Sequence, residues 1–448
     1  MSDRMEEVAR RLADGAPLTE VLDVGSPTAW ITFDQGVREE IRWGRCRAPS
    51  HAWLSGRRLR WDWNSPLPTF NPSRTPPDGS ALALALCDPD GRVREAALGR
   101  ARDIPSLLPL VAIRCADWAP PVRDRAREVL RGMLPGVGPE AMAVLAAVIL
   151  RIAARWRGGA AREALEETLR ACDASVFGAV LTSEDRATRR LAHRIAVGRG
   201  HFSPERLAAL AATEGDVVIQ DICAEGALST AGSATTDAVL LPLLGSRQGR
   251  VRSAGVTALH RAGRHGEAEP FLWDRSGMVR ACARWVLRQA GTDPVPIYRA
   301  RCTGGSVPDH APLGLAECGE RSAALPLLWD LVRHPAPGVR AGAVAGLRVM
   351  DAVDLPRLLP LLDDASPRVV RETVTALLPW ADRVPVGELS HRAAPDRPRP
   401  VRAGALRLLG ACGGPAYLAA ARRLAEDPDP KLRTHARRAL GPTPPPVR

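Results

Sequence analysis

The sequence predicts an all-α fold: about twelve helical hairpins over residues 80–448, preceded by an aromatic-rich cap over residues 1–79. Three observations predict it. A short motif, β-branched residue–Arg–two variable positions–small residue–three variable positions–Leu, returns along the chain at a spacing near 31 residues. Its apolar positions fall at i, i+4 and i+8, which share one face of a helix of 3.6 residues per turn. Clusters of Pro, Asp and Gly separate each motif from a shorter Leu/Pro-rich segment before it, so each unit reads helix, turn, helix.

The elements follow in chain order. Residues 3–14 and 18–24 carry helical patterning, and Val37 to Arg45 reads as a further short helix. In HAWLSGRRLRWDW (51–63), Leu59, Trp61 and Trp63 alternate with Arg58, Arg60 and Asp62 at the period of a strand, and Ser55-Gly56 supplies a turn, so a β-hairpin is predicted. A Pro-rich linker follows at 65–80. Seven of the 18 aromatic residues (Trp30, Phe33, Trp43, Trp53, Trp61, Trp63, Phe70) lie in this first sixth of the chain. They are expected to pack on the first repeat as a hydrophobic cap; the alternative is a docking surface for a peptide built on Trp53, Trp61 and Trp63.

The motif starts at Val93, Val122, Val251, Val279, Val339, Val370, Val401 and Leu432, with degenerate copies from Ala161, Thr188, Ile219 and Val307. The intervals are 29, 39, 27, 31, 32, 28, 28, 32, 31, 31 and 31 residues. The small residue at i+4 lets the neighbouring helix approach. Arg follows the first position in ten of the twelve copies, and an acid often stands five residues before it, as at Asp88, Asp117, Glu214, Asp274, Asp396 and Asp427. The acid is placed to cap the second helix or to accept from amides of the turn. A charge recurring at one internal position is expected to brace successive repeats rather than to meet a ligand.

With D-x-x-x-x-V-R-x-x-A-x-x-x-L on the page, residues from about 80 to 448 resemble the HEAT-repeat family, in particular its bacterial short-repeat branch that includes the HEAT-like modules of phycobilisome lyases. The resemblance implies a right-handed α-α superhelix whose second helices line a concave binding face. It also brings in one enzymatic precedent, the HEAT-like alkylpurine DNA glycosylases, which hold a damaged base against tryptophans beside an Asp. Asp117-Trp118, Trp273-Asp274 and Trp329-Asp330 are the pairs to compare, but Asp117 and Asp274 already occupy the acidic turn position of the repeat.

Composition narrows the function. The net charge is +12, yet only one of the 62 basic residues is a lysine, Lys431, which marks arginine-rich coding more than a nucleic-acid binder. The excess is uneven: residues 379–448 carry 13 basic and 6 acidic groups, net +7. Arg407 and Arg438, each six residues after a motif start, are the arginines expected to stack on adjacent second helices. Nine widely spaced cysteines without a CxxC pair read as reduced core thiols of a cytoplasmic protein. The opening MSDRMEEVARRLADG lacks an apolar core for a signal peptide, and the longest apolar run, ten residues from Ala141 to Leu150, is far too short for a membrane span. No phosphate-binding glycine loop, nucleophile elbow or HExxH motif occurs, and His260 and His265, five apart, have the wrong spacing to share one helical face. The expectation is a non-catalytic scaffold or adaptor, without cofactor or metal, that grips another protein or peptide on its concave face. Nucleic-acid binding through the basic C-terminal repeats is the alternative, with a glycosylase-like enzyme behind it.

Overall fold

The computed structural model describes residues 2–46, 48–55, 79–154, 157–231 and 236–440, and among them the chain forms helices and no strand. It divides into two compact units, residues 1–227 and 228–448.

The first unit opens with α1 (Ser2–Ala13), α2 (Leu18–Val21), α3 (Pro27–Arg42) and α4 (His51–Leu54). Five hairpins follow: α5 (Gly79–Leu86) with α6 (Gly91–Ala101), α7 (Leu108–Arg114) with α8 (Pro120–Met133), α9 (Pro139–Ala153) with α10 (Gly159–Ala171), α11 (Ala174–Leu181) with α12 (Arg186–Gly198), and α13 (Pro204–Thr213) with α14 (Val217–Ala231), the helix within which the division falls. The second unit holds α15 (Asp237–Leu244) with α16 (Gly249–Arg261), a 3-10 stretch His265–Trp273 with α17 (Gly277–Gln289), α18 (Pro294–Thr303) with α19 (Ala311–Cys318), and α20 (Arg321–Leu331) with α21 (Pro337–Val349). Then come α22 (Leu355–Leu358), prolonged by a 3-10 stretch Leu359–Asp363, with α23 (Pro367–Leu377), α24 (Val386–Arg392) with α25 (Arg399–Cys412), and α26 (Gly414–Leu424) with α27 (Pro430–Ala439). Prolines within the first-helix segments, such as Pro242, Pro270 and Pro326, remove backbone donors and keep these segments short or tightened to 3-10 geometry.

The motif faces inward as its period requires. Val339, Ala343 and Leu347 of α21 are wholly buried, and Val93, Ala97 and Ala101 of α6 make the same stripe. In two repeats the register departs from the sequence reading. Across the second helices the motif Arg is the fourth residue after the N-cap, its amide bonding back to the N-cap carbonyl, as Arg340 does to Ala336 and Arg402 to Pro398. In α23 that place belongs to Val370, whose amide donates to Ser366, so Val369 is the aligned motif start and Arg371 falls one position outside. Val307 starts no helix: α19 begins only at Ala311, and Gly314 holds the arginine's place. The loop before α19 presses its Asp309 backbone onto α21, which accommodates it because Gly342 has no side chain; a Cβ there would lie 2.2 Å from the Asp309 carbonyl oxygen.

The N-terminal helices share one apolar core with the first hairpins. Trp30, Phe33 and Val37 of α3 are buried together with Val8 and Leu12 of α1. The Asp34 carboxylate pairs with Arg114 at the end of α7, and Arg114 reaches Asp117 at 3.3 Å. Helix α3 begins ten residues before the expected Val37, because Ser26 caps it by accepting from the Ala29 amide at 3.3 Å and Pro27 is preset for a first turn. His51–Leu54 is helical and not an arm of a β-hairpin; Ser50 caps it through the Trp53 amide. Trp43 is 70% exposed and so takes no part in the cap core. The predicted strand with Trp61 and Trp63, and Phe70, lie outside the described residues.

Candidate binding surface

The motif arginines settle into a repeated staple. Arg94 donates Nε and Nη2 to the two carboxylate oxygens of Asp117 at 2.9 and 2.8 Å, while its Nη1 reaches the carbonyls of Asp88 and Pro89 at 2.7 and 2.8 Å. Arg252 does the same with Asp274 and the carbonyls of Ser246 and Arg247, and Arg340 with Asp364 and the carbonyls of His334 and Pro335. Arg402 holds Asp427 at 2.9 and 3.0 Å. Each guanidinium thus fastens its own turn and the acid of the following repeat. That acid also accepts from an amide two residues on, as Asp117 does from Ala119 and Asp274 from Ser276, so it braces the turn and is not the helix cap. Where the α19 repeat brings no turn acid, Arg280 turns to Glu317, which it shares with Arg284. Gln220, in place of an arginine, still donates to the carbonyl six residues back, that of Glu214, at 2.6 Å. Arg162 is a correction to the general expectation: it is exposed and pairs only with Glu166 on its own helix.

With the motif consumed internally, the surface of the second helices is left to other positions. One stands out: the residue six after the aligned motif start. In the first unit it is half-exposed Gly99 and exposed Glu128, Glu167, Arg194 and Glu225. In the second it includes half-exposed Thr257 and Thr375 and exposed Trp285, Arg407 and Arg438; only Ala345 is buried there. The full staple recurs at Arg94, Arg252, Arg340 and Arg402, and Arg123, Arg189 and Arg433 keep its bond to a carbonyl of their own turn, while the outward row changes its chemistry.

Arg407 lines a groove of about 200 Å³ between α23 and α25, together with Arg371 and Arg399 over a floor that includes Val370, Val374 and Ala403. Arg438 does not line it. Arg399 pairs with Asp429 at 2.7 Å, whereas Arg371 and Arg407 are exposed and meet no carboxylate among the described residues. Trp53 is half-buried against the core of the first unit, on the helix whose Leu54 carbonyl accepts from Arg100 at 3.2 Å.

The first unit also carries an apolar cleft of about 660 Å³, walled by Leu18, Trp30, Leu108, Val144 and Leu145 among others; Trp53 is not part of it. Two polar groups at its wall are already engaged, Trp30 Nε1 with the Val24 carbonyl at 3.0 Å and Ser80 Oγ with the Ala16 carbonyl at 2.6 Å. In the second unit, His260 and His265 meet despite their spacing. Helix α16 ends at Arg261, Gly263 turns the chain back at φ +68°, and the rings come within 3.0 Å, Nδ1 to Nε2, beside Trp285. Sequence periodicity assumed one continuous helix and missed the reversal. Among the described residues no group of three or more His, Cys, Asp or Glu is placed to hold a metal.

The Asp–Trp pairs are not free for base chemistry in two cases: Asp117 and Asp274 are bound by the staple arginines. Trp118, 63% exposed, lies near the Arg94 guanidinium, and Arg357 stacks over Trp329 at 4.0 Å. All nine cysteines are free, and burial pushes the thiols of Cys115 and Cys302 up to about 12 and that of Cys223 to about 11. Such thiols stay protonated near neutral pH and are poor nucleophiles. Cys412, by contrast, is exposed rather than a core thiol.

No family model and no curated protein matches the chain. Among solved structures it is similar to a designed armadillo repeat protein, at 19% identity and TM-score 0.23, over 45% of this chain and 97% of that one. It is similar to Kap121p in its complex with Nup53p, at 12% identity and TM-score 0.31, over 78% of this chain and 47% of that one. A third similarity, at 10% identity and TM-score 0.24 over 73% of this chain and 92% of the other, is to a structure of microtubule polymerases with arrays of tumour overexpressed gene domains that recruit tubulin. The described residues form an all-α array of helical hairpins. Among its described residues no helix is long and apolar enough to cross a membrane.

Proposed function

We propose that the chain is a non-catalytic interaction scaffold that holds another protein or peptide on the exposed face of its second helices, with residues 1–79 as its N-terminal cap. The observation that carries this is the contrast between the recurring inward stripe and turn bracing and the variable outward row: Glu128, Glu167, Arg194 and Glu225 in one unit, Trp285, Arg407 and Arg438 in the other. These side chains stand outside the inward stripe, Glu128 paired with Arg125 at 2.6 Å and Trp285 edge-on to His260, and their exposed surfaces are open to a partner. The spacing of the D-x-x-x-x-V-R motif supports kinship with the bacterial short-repeat branch, and the buried free cysteines support a reducing, cytoplasmic setting.

The test is a photo-crosslinking amino acid placed in the cell at Glu225, Trp285 or Arg407, with buried Ala283 as control. A discrete protein adduct from the row positions and none from Ala283 is expected; no protein adduct from any row position would overturn the reading. Exposed Arg407 and Arg438 favour the second reading, nucleic-acid binding. A salt titration separates the two, since phosphate binding weakens steeply as salt rises.

A further inference from the structure

We infer that the groove between α23 and α25 is a docking site for an acidic peptide segment, one that places a single large apolar side chain between carboxylates. The inference rests on the scaffold reading and names the partner's chemistry. It begins at the break in the staple. Val370 occupies the place where other second helices carry the bracing arginine, and its short side chain forms a floor with Val374 and Ala403. The opening, about 200 Å³, has the capacity for one leucine- or phenylalanine-sized group and is too small for a drug-sized ligand.

Around that apolar floor stand three guanidinium groups, those of Arg371, Arg399 and Arg407. Arg371 and Arg407 are exposed and have no carboxylate partner among the described residues, which sets them apart from the motif arginines of the staple. Arginine presents planar paired donors that match a carboxylate in two parallel hydrogen bonds. Pro367, Arg399 and Pro400 place the groove at the first turns of α23 and α25, where the helix dipoles add to the attraction for an anion. Apolar floor and basic rim together match an acidic segment with one apolar anchor.

The same features disfavour a nucleic-acid track. Asp429 holds Arg399 and interrupts the positive rim, no aromatic ring lines the groove to stack a base, and Arg438 lies outside it.

Fluorescence anisotropy of the full chain tests the assignment with three labelled probes: a Glu-Glu-Phe-Glu-Glu peptide, its Gln-Gln-Phe-Gln-Gln counterpart, and an oligonucleotide in single-stranded and duplex form. The acidic peptide is expected to bind at least about tenfold more tightly than the glutamine one. Arg371→Glu and Arg407→Glu should each weaken it by about tenfold or more, with unchanged thermal midpoints, while replacing exposed Arg422, which lies on first helix α26 outside the groove, by Glu changes it less than about twofold. Equal affinity for the two peptides, or an equal loss on Arg422→Glu, would overturn the groove assignment. So would an oligonucleotide that binds more tightly than the peptide and loses affinity with the same two substitutions. Failure here remains distinguishable from failure of the scaffold reading: a chain that rejects the peptide yet yields a protein adduct from Trp285 keeps its scaffold role, whereas one with no adduct from any row position loses both.

Discussion

Arg94 and Asp117 face each other through two parallel hydrogen bonds, with the arginine side chain 0% and the aspartate 2% exposed. Two charges so enclosed must be matched, because either one alone would be stranded without water. The same carboxylate receives Arg114, which in turn pairs with Asp34 of the N-terminal helices. One buried network therefore ties helix α3 to the first two hairpins.

Removing one partner of that network should be costly. Arg94→Ala is expected to destabilise by about 3–5 kcal/mol, the range for breaking a buried ion pair from one side. Arg340, 16% exposed at its own staple, should cost about 1–3 kcal/mol on replacement by Ala, as for a charged hydrogen bond lost in a partly wet setting. Chemical-denaturation midpoints measure both. A pair of variants as stable as the parent would return these arginines to the candidates for ligand binding.

Acid should loosen the second unit. Burial raises the Asp274 carboxyl, but hydrogen bonds from Arg252 and the Ser276 amide, with the charge of Arg252, outweigh it and hold the group below its ordinary value. Asp364 is lowered by Arg340 and Ser366 in the same balance. The unfolded chain then binds these protons more tightly than the folded one. The stabilisation is complete above about pH 4, the unfolded carboxyl range, and is lost as pH falls through the lowered native values. Thermal midpoints should hold from about pH 6 to about pH 4 and decline below it, and Asp274→Asn should start lower and decline less steeply.

The close approach of the Asp309 loop to α21 sets a third expectation. Gly342→Ala forces a methyl group against a backbone oxygen and should cost about 1–3 kcal/mol, as overpacking does. Gly132, which faces open space in α8, is the control: Gly132→Ala should be neutral or stabilise by up to about 1 kcal/mol. Equal effects at the two sites would mean that the loop does not press on the helix.

Phe33 and Trp30 of α3 meet edge to face, ring centroids 6.4 Å apart, in the core that α3 shares with the first hairpins. Phe33→Ala should destabilise by about 3–5 kcal/mol. Deleting residues 1–79 bares the apolar flank of the first hairpin and should give aggregates by light scattering. A truncated chain that stays monomeric would show that the cap is dispensable for folding and favour its use as a docking surface.

Much of this fold is legible in the sequence because a helical period, once repeated, leaves few alternatives. The inward stripe and the turns fell where Val93, Val251 and Val339 placed them. The staple was half legible: the arginine and the acid were visible, but not that Arg94 reaches forward to Asp117 while using only backbone carbonyls of its own turn. Sequence spacing treats each repeat alone, and the partner lies in the next. The slip from Val370 to Val369 escaped notice because both are valine, and with it the gap that opens the groove. His51–Leu54 was misread because four residues are too few to distinguish a strand from one turn of helix without weighing the Ser50 cap.

Because each full staple joins an arginine to the turn acid of the next repeat, 22 to 25 residues downstream, a regular block of one period holds one of each, wherever the block is cut. Copying such a block adds a donor and an acceptor together and strands neither, so duplication can lengthen the chain without burying an unmatched charge. An irregular insertion has no such protection. The α19 repeat bears this out: the chain lengthens before the helix, the turn acid is missing, and Arg280 is matched by Glu317 from the helix itself. Growth by whole periods is electrostatically silent, whereas a departure from the period leaves a charge that is matched from elsewhere, as Glu317 matches Arg280, or turned to solvent, as Arg371 is.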